Sequence, residues 1–254
     1  MRNIKLFILL FFTVLTIGCD KNEDDINVSC IADCTTIQGK FVTLNNEPVS
    51  NVKVTLEYYI SGMSGAKIRK IVDVNSDSKG NYYKTFHVKD SELGIDAPGY
   101  FLFKIDDSRL DVNQYIRTNN LIGETTNRIS SIFPLTKRDT IIDQTFYIPK
   151  KAHVKINLKN FVPQKSNDYF QIQTLYPYGV KIGENPLLDT AYNTGFSGFE
   201  EYKATNQDTH LNVYVAEGEK NIIRVYRRKN GVESHEDFPF YIPQHNNIEL
   251  TYYY

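Results

Sequence analysis

Tryptophan is absent from the 254 residues, although Tyr and Phe bring the aromatic fraction to 13%. Because Trp is the ring on which sugars usually stack, any glycan contact in this protein would depend on Tyr and Phe. Aromatic and β-branched side chains pack well on pleated surfaces, so this composition favours β-structure. A chain of this length holds one or two domains of about 100–150 residues each.

An excess of charge of one sign is also missing, since 29 basic and 30 acidic residues give a formal net charge of −1. Nucleic-acid binding requires a concentrated basic face, which this balance does not indicate. We therefore expect no nucleic-acid partner.

Catalytic and metal-binding patterns are missing from the sequence as well. The five histidines are scattered and form neither H-x-x-x-H nor H-E-x-x-H. Residues 62–65 and 195–198 approach the nucleophile motif G-x-S-x-G, but each falls one residue short. An EF-hand-like spacing around Asp77 has Lys79 at a ligand position and Phe86 where a Glu is needed. The sequence thus predicts no catalytic residue, no metal site and no cofactor.

The apolar run at residues 6–17 is too short to cross a bilayer, which takes about 20 residues in a helix. It follows the basic residues Arg2 and Lys5, and Gly18-Cys19 closes it. A short apolar run behind a basic start is typical of a cleaved signal peptide, which we assign to residues 1–18.

The segment Thr16-Ile17-Gly18-Cys19 resembles the end of a bacterial lipoprotein signal, in which a small residue precedes the cysteine. Thr16 departs from the Leu that is usual in that family. The resemblance implies that Cys19 becomes the mature N-terminus and carries a diacylglyceryl group, so that the membrane is a partner through the lipid. An anchor with several acyl chains is physically sensible, because a single chain binds membranes only marginally.

Residues 20–25 are polar and mostly acidic, which predicts a solvated, flexible tether; we assign residues 19–34 to the lipidated N-terminus and this tether. The acidic run is similar to that of lipoproteins exported to the outer face of the outer membrane. Asp20 directly after the cysteine is also similar to the enterobacterial signal for retention at the inner membrane. The length of the acidic run favours the outer membrane, with the protein facing outward.

Two further cysteines, Cys30 and Cys34, are separated by three residues. A turn would bring their Cα atoms within the roughly 4.4–6.8 Å that a disulfide requires. An envelope compartment is compatible with such a bond, and the sequence leaves both the bonded and the free states open.

Alternating apolar residues predict β-strands from residue 35 onward. Every second residue from Val52 to Ile60 is apolar, as expected for a strand with one buried face. The strongest turn signal lies at residues 77–81, where Gly80 accommodates the positive φ of a tight turn.

Residues 38–42 (QGKFV), 48–54 (PVSNVKV) and 77–82 (DSKGNY) resemble three segments of the carboxypeptidase regulatory-like domain, a small transthyretin-like β-sandwich. The likeness covers residues 37–105. It implies a fold for residues 35–149 and no particular activity, because such modules act mostly as appended binding or structural units.

A second β-sandwich-like domain is predicted for residues 150–254. Its strand signals include the alternation at residues 154–158 and 248–252, and Asn230-Gly231 indicates a hairpin. The sequence thus predicts an all-β fold of two tandem β-sandwich domains, transthyretin-like or Ig-like.

A short echo, FYIP at residues 146–149 and again at 240–243, indicates either two stacked sandwiches of related topology or a coincidence.

The long segment 177–198 lacks strand periodicity, and long loops in compact domains are often functional. Its rings and their neighbours are the candidate ligand contacts, namely Tyr176, Tyr178, Tyr192, Phe196 and Phe199. The alternative interpretation is that these rings pack the domain's own core.

Three functions follow from these observations. The main hypothesis is a non-enzymatic, lipid-anchored surface protein that serves as a binding or accessory module, beside glycan-uptake machinery or other surface proteins. The alternative is a fimbrial subunit or anchor that assembles by strand donation, with residues 248–254 as the donor. The third is an envelope hydrolase, which would require a site that the sequence does not reveal.

Overall fold

The computed structural model of the protein describes residues 23–63, 65–120, 126, 128–181, 196, 198–244 and 246–254. Strands dominate this part of the chain, and its helical residues are confined to short 3-10 helices at Asp90–Glu92 and Thr118–Asn120. The all-β prediction is therefore confirmed. None of the helices in these ranges is long and apolar enough to cross a membrane.

The first sandwich contains two facing sheets. Its strands are β1 (Glu23–Asp24), β2 (Cys34–Val42), β3 (Lys53–Ile60), β4 (Lys67–Asn75), β5 (Asn81–His87), β6 (Tyr100–Asp106), β7 (Arg128–Phe133) and β8 (Ile141–Tyr147). One sheet has the order β1-β4-β3-β6-β7, and the other has β8-β2-β5. The alternation in β3 explains the packing, since Val54, Leu56 and Tyr58 are buried between the sheets while Thr55 and Glu57 point outward.

The second sandwich has the same kind of construction. Its strands are β9 (Lys151–Lys159), β10 (Tyr169–Tyr176), β11 (Gly179–Val180), β12 (Gly198–Lys203), β13 (Thr209–Ala216), β14 (Lys220–Lys229), β15 (Val232–Tyr241) and β16 (Ile248–Tyr253). The sheets β12-β10-β14-β15 and β13-β9-β16 enclose a separate apolar core, whereas β11 pairs with β8 of the first sandwich. The predicted Asn-Gly hairpin joins β14 to β15, with both Asn230 and Gly231 at positive φ.

The two sandwiches share one topology. If β1 and β11 are left aside, each sandwich has seven strands. The first of the seven lies between the fourth, which is antiparallel to it, and the seventh, which is parallel: β5-β2-β8 and β13-β9-β16. The facing sheets both follow the order third, second, fifth, sixth, as β4-β3-β6-β7 and β12-β10-β14-β15. The short FYIP echo does not mark this repeat, because residues 146–149 begin within the last two residues of the seventh strand and residues 240–243 within the last two of the sixth.

Side chains from beyond residue 149 complete the first core. Tyr176, Tyr178, Val180 and Ala216 belong to the same buried cluster as the side chains of the first sandwich. The chain runs from β10 of the second sandwich directly into β11, which extends a sheet of the first. The division at residues 149/150 stays a prediction, and the buried contacts between the two sandwiches cross it.

The entering residues 23–25 are held by backbone pairing with β4 of the first sandwich. Glu23 and Asp24 pair in parallel with Arg69 and Lys70 of β4, and the Asp25 amide donates to the Lys70 carbonyl at 2.8 Å. The prediction of a flexible tether over residues 19–34 is therefore wrong for residues 23–25, because a local acidic pattern does not reveal pairing with a strand more than forty residues away.

Candidate functional site

The predicted lipid-attachment residue, Cys19, lies outside the described residues. The chain that follows it is held by Arg69, a residue that is only 7% exposed. This side chain donates to Asp25 Oδ2 at 2.6 Å, to Glu92 Oε2 at 2.5 Å and to the His87 carbonyl at 2.8 Å. A buried cation with three acceptors fixes the entry point of the chain at one edge of the first sandwich.

A disulfide joins Cys30 to Cys34 immediately after this entry, with a Cα–Cα distance of 5.8 Å. Cys34 is the first residue of β2 and pairs with His87 of β5. The bond therefore closes a short loop at the point where the entering chain turns into the sheet.

The predicted aromatic ligand contacts separate into buried and half-buried rings. Tyr176 and Tyr178 are completely buried, with Tyr178 edge-on to Phe146 at 5.6 Å between ring centroids. For these two rings the prediction of ligand contact is wrong, because they fill the first core. Phe196 and Phe199 are half-buried, and their role stays a prediction; Tyr192 lies outside the described residues.

Tyr178 also completes a buried hydrogen-bond network. Its hydroxyl donates to Asp107 Oδ2 at 3.1 Å, and Thr118 donates to the same oxygen from its amide at 2.6 Å and its hydroxyl at 2.9 Å. Burial raises the pKa of Asp107, and the bonds from Thr118 and Tyr178 partly offset that effect. The neighbouring Asp106 points outward and pairs with Arg128. The network joins the sandwiches and is closed to solvent.

A second polar cluster lies at the same junction. Tyr214 donates its hydroxyl hydrogen to Glu200, and its oxygen lies 2.9 Å from the Asn120 carbonyl oxygen. Lys151 Nζ lies 4.7 Å from the centroid of the Tyr214 ring and donates to the Val112 carbonyl at 2.9 Å. Burial raises the pKa of Glu200 and lowers that of Lys151. These groups are engaged with one another, so the cluster links a turn of the first sandwich to β12 and β13.

Within the described ranges, no group of three or more His, Cys, Asp or Glu side chains is arranged to hold a metal ion.

An apolar groove opens along the side of the second sandwich. It lies between the edge strands β15 and β16, encloses about 440 Å³, and is lined by Phe238, Phe240, Leu250 and Tyr252 among others. Phe238 and Tyr252 meet across it with ring centroids 4.8 Å apart, while Phe240 and Leu250 stay partly exposed.

The equivalent edge of the first sandwich is occupied. There β11 pairs with β8, placing Gly179 opposite Tyr147 and Val180 opposite Phe146. Val180 is 2% exposed, so this added strand contributes a side chain to the core. No strand of the described residues pairs with the outer edge of β16, which is the counterpart of the β8 edge that β11 covers.

Sequence reasoning missed this groove. Residues 248–252 were predicted as a strand, but its exposed edge follows only from the order of strands in the sheet. Pro239 between Phe238 and Phe240 is the signal that could have found it, since Pro inside a strand is confined largely to sheet edges and bulges.

No protein-family model matches the chain, and no curated protein sequence matches it. Among solved structures, the Bacillus anthracis TIE protein is similar at 13% identity and a TM-score of 0.30, with 87% of this chain covering 33% of that one. A streptococcal ancillary pilin is similar at 10% identity and a TM-score of 0.28, with 87% of this chain covering 64% of the pilin. A C-terminally truncated tip fimbrial protein from Porphyromonas gingivalis is similar at 11% identity and a TM-score of 0.26, with coverages of 82% and 81%. TM-scores of this size establish neither a shared fold nor a shared function.

Proposed function

We propose that this protein is a non-enzymatic, lipid-anchored component of a bacterial cell envelope that faces outward from the outer membrane and binds a partner at the cell surface. The observation that carries the proposal is the Cys30–Cys34 disulfide, which lies eleven residues after the predicted lipidation site. Structural disulfides persist in oxidising compartments and are rare in the cytosol, so the bond supports export. Export is also what the basic, apolar and cysteine-terminated sequence of residues 1–19 predicts.

The binding role is supported by the buried polar groups, which hydrogen-bond to one another between the two sandwiches. The networks around Asp107 and Tyr214 connect the sandwiches to each other and offer no open cleft with converging acids or bases. Two sandwiches that are connected by these networks form a scaffold that presents surfaces and loops, as β-sandwich modules commonly do. The partner is a surface protein or a glycan, and the half-buried rings of Phe196 and Phe199 remain the proposed contacts.

Protease shaving of intact cells tests this function. Wild-type protein should yield Lys- and Arg-terminated fragments from residues 150–254, because a chain that faces outward is accessible to the protease. The Cys19→Ala variant, which cannot be acylated, should leave the membrane fraction. Full protection of the wild-type chain in intact cells, or unchanged membrane retention of the Cys19→Ala variant, would refute the proposal.

A second candidate function is assembly by strand addition. The specific observation in its favour is the β15–β16 groove beside the free edge of β16, a position that β11 fills in the first sandwich. The C-terminal strand itself is seated, since residues 248–253 pair with β9 along its length. The second sandwich is therefore better suited to accept a strand than to donate one, because donation would first require β16 to leave its sheet.

Membrane extracts distinguish this candidate. If strands insert into the groove, the wild-type protein should run as oligomers that dissociate only on heating. Phe240→Asp, which places a charge in the groove, should abolish them. Tyr241→Asp alters the next residue on the outer face, where Tyr241 is 55% exposed, and should preserve them. Monomeric wild-type protein, or equal loss in both variants, would eliminate strand addition.

A further inference from the structure

Four connections of the first sandwich meet at one of its ends, which we call the anchor end, and one of them joins Phe133 of β7 to Ile141 of β8. The β3–β4 hairpin lies there, since Ile60 pairs with Lys67. The loop from His87 to Tyr100 lies there too, because Tyr100 pairs with Tyr59 at the end of β3. The loop that precedes β2 joins them, because Cys34 pairs with His87.

Each of the other three connections exposes a large apolar side chain. Met63 in the hairpin is fully exposed, Ile31 in the disulfide loop is 96% exposed and Ile95 in the loop before β6 is 82% exposed. Single exposed apolar residues are ordinary on protein surfaces. Three of the most exposed apolar side chains of the described residues lie at this one end and come from three separate connections.

The opposite end of the first sandwich is covered by the second sandwich. Asn45 Nδ2 donates to the Gly218 carbonyl at 3.2 Å, Lys150 forms an ion pair with Glu47, and Gln244 Nε2 donates to Glu47 at 3.0 Å. The two ends of the first sandwich are therefore distinct, with the second sandwich at one end and exposed aliphatic side chains at the other.

The path of the entering chain selects the anchor end as the one nearest the lipid. Glu23 pairs with Arg69, and β1 runs parallel to β4, so the N-terminal end of β1 points toward the β3–β4 hairpin. Four residue steps separate Cys19 from Glu23, which span at most about 14 Å when fully extended. Arg69 lies the same number of residues after Gly65 in that hairpin. The lipid on Cys19 thus reaches little farther than the hairpin tip.

We propose that the anchor end rests on the lipid bilayer, with Ile31, Met63 and Ile95 inserted among the headgroups beside the acylated Cys19. This inference depends on the proposed lipid attachment and adds an orientation to it: the first sandwich stands directly on the membrane and the second points away. Lipid chains and apolar side chains then form two membrane contacts that reinforce each other. The pairing of residues 23–25 with β4 restricts rotation of the first sandwich relative to the lipid.

The absence of Trp from the chain makes a clean test possible. Met63→Trp and Ile95→Trp each place one fluorophore at the anchor end of the lipidated full-length mature chain. Val232→Trp is the control, at a residue 72% exposed in the hairpin of the second sandwich that lies farthest from the junction. Each variant is reconstituted into phosphatidylcholine vesicles with either ordinary or brominated acyl chains, and the mass of each preparation establishes its acylation.

Brominated lipid should reduce the emission of Met63→Trp and Ile95→Trp by at least about twofold, because quenching requires insertion among the lipids, and should leave Val232→Trp unchanged. A lipidated chain in which Met63→Trp and Ile95→Trp are quenched no more than Val232→Trp would overturn the orientation alone. A mature chain without lipid on Cys19 would overturn both this inference and the proposed function.

Discussion

Gly80 occupies a backbone position that an L-amino acid adopts only with strain, since its φ is +76°. A Cβ atom there would also lie 2.3 Å from the Phe41 carbonyl oxygen, while the Gly80 carbonyl accepts a hydrogen bond from the Phe41 amide at 2.9 Å. The turn and β2 are therefore fitted to each other without room for a side chain.

Replacing Gly80 and Gly94 in turn separates the energetic cost of the positive φ from that of the close contact with Phe41. Gly94 also has a positive φ, +94°, but a Cβ at that position meets nothing within 4 Å. Gly94→Ala should lower the free energy of unfolding by about 1 kcal/mol from φ alone. Gly80→Ala should lower it by about 3 kcal/mol, because the backbone of β2 must also move. Urea unfolding of both variants measures the difference, and equal losses would contradict the close contact with Phe41.

The carboxyl of Glu219, at the junction of the sandwiches, makes the free energy of unfolding depend on pH. Burial raises the pKa of its carboxyl from the ordinary 4.5 to about 7, and the Leu44 amide of the first sandwich opposes part of the shift. A carboxyl whose folded pKa is raised stabilises the fold fully below its unfolded pKa. That contribution is lost as the pH rises through the folded pKa.

We therefore expect the free energy of unfolding to contain a component that declines between about pH 4.5 and pH 7. Glu219→Gln, which stays neutral, should remove that component, so the variant gains stability relative to the wild type as the pH rises. Urea unfolding at pH 4.5, 6 and 7.5 measures it. Parallel curves for the two proteins would show that the pKa of Glu219 is not raised in the folded state.

At the scale of the strand, β16 is an integral part of the second sandwich. It pairs in parallel with β9, which places Ile248 opposite Val154 and Leu250 opposite Ile156. Tyr252 is 6% exposed against Phe238, whereas the next residue, Tyr253, is 60% exposed. Neighbouring tyrosines thus lie on opposite faces of one edge strand.

This alternation predicts different effects for two chemically identical substitutions. Tyr252→Ala should lower the free energy of unfolding by about 3 kcal/mol, because a buried aromatic ring is lost from the core. Tyr253→Ala should change it by no more than about 0.5 kcal/mol, as is usual for exposed positions. Chemical unfolding monitored by circular dichroism measures both. A large loss of unfolding free energy in the Tyr253→Ala variant would contradict the register in which β16 pairs with β9.

Sequence periodicity predicted these strands because the relevant signal is local. The alternation from Val52 to Ile60 becomes β3, and Asn230-Gly231 becomes the hairpin between β14 and β15. Contacts between distant segments gave no such signal. The docking of β1 depends on Arg69, and the burial of Tyr178 depends on Asp107, 71 residues earlier in the chain. Alternation shows that one face is buried and does not show what buries it.

At the scale of the molecule, the two sandwiches share one topology and differ in what covers their edges. Each sandwich places its first strand between its fourth and its seventh. The first copy has its outer edge covered by β11 and receives the N-terminal segment, while the second copy keeps an open groove. The first sandwich is thus closed along this side, and the second retains an apolar groove.

The proposed orientation and the proposed surface anchoring both depend on the predicted lipid at Cys19. Mass spectrometry of the mature protein isolated from membranes tests it directly. We predict that its N-terminal peptide begins at Cys19 and carries the mass of a diacylglyceryl group. A mature chain that begins at another residue, or that begins at an unmodified Cys19, would contradict the account.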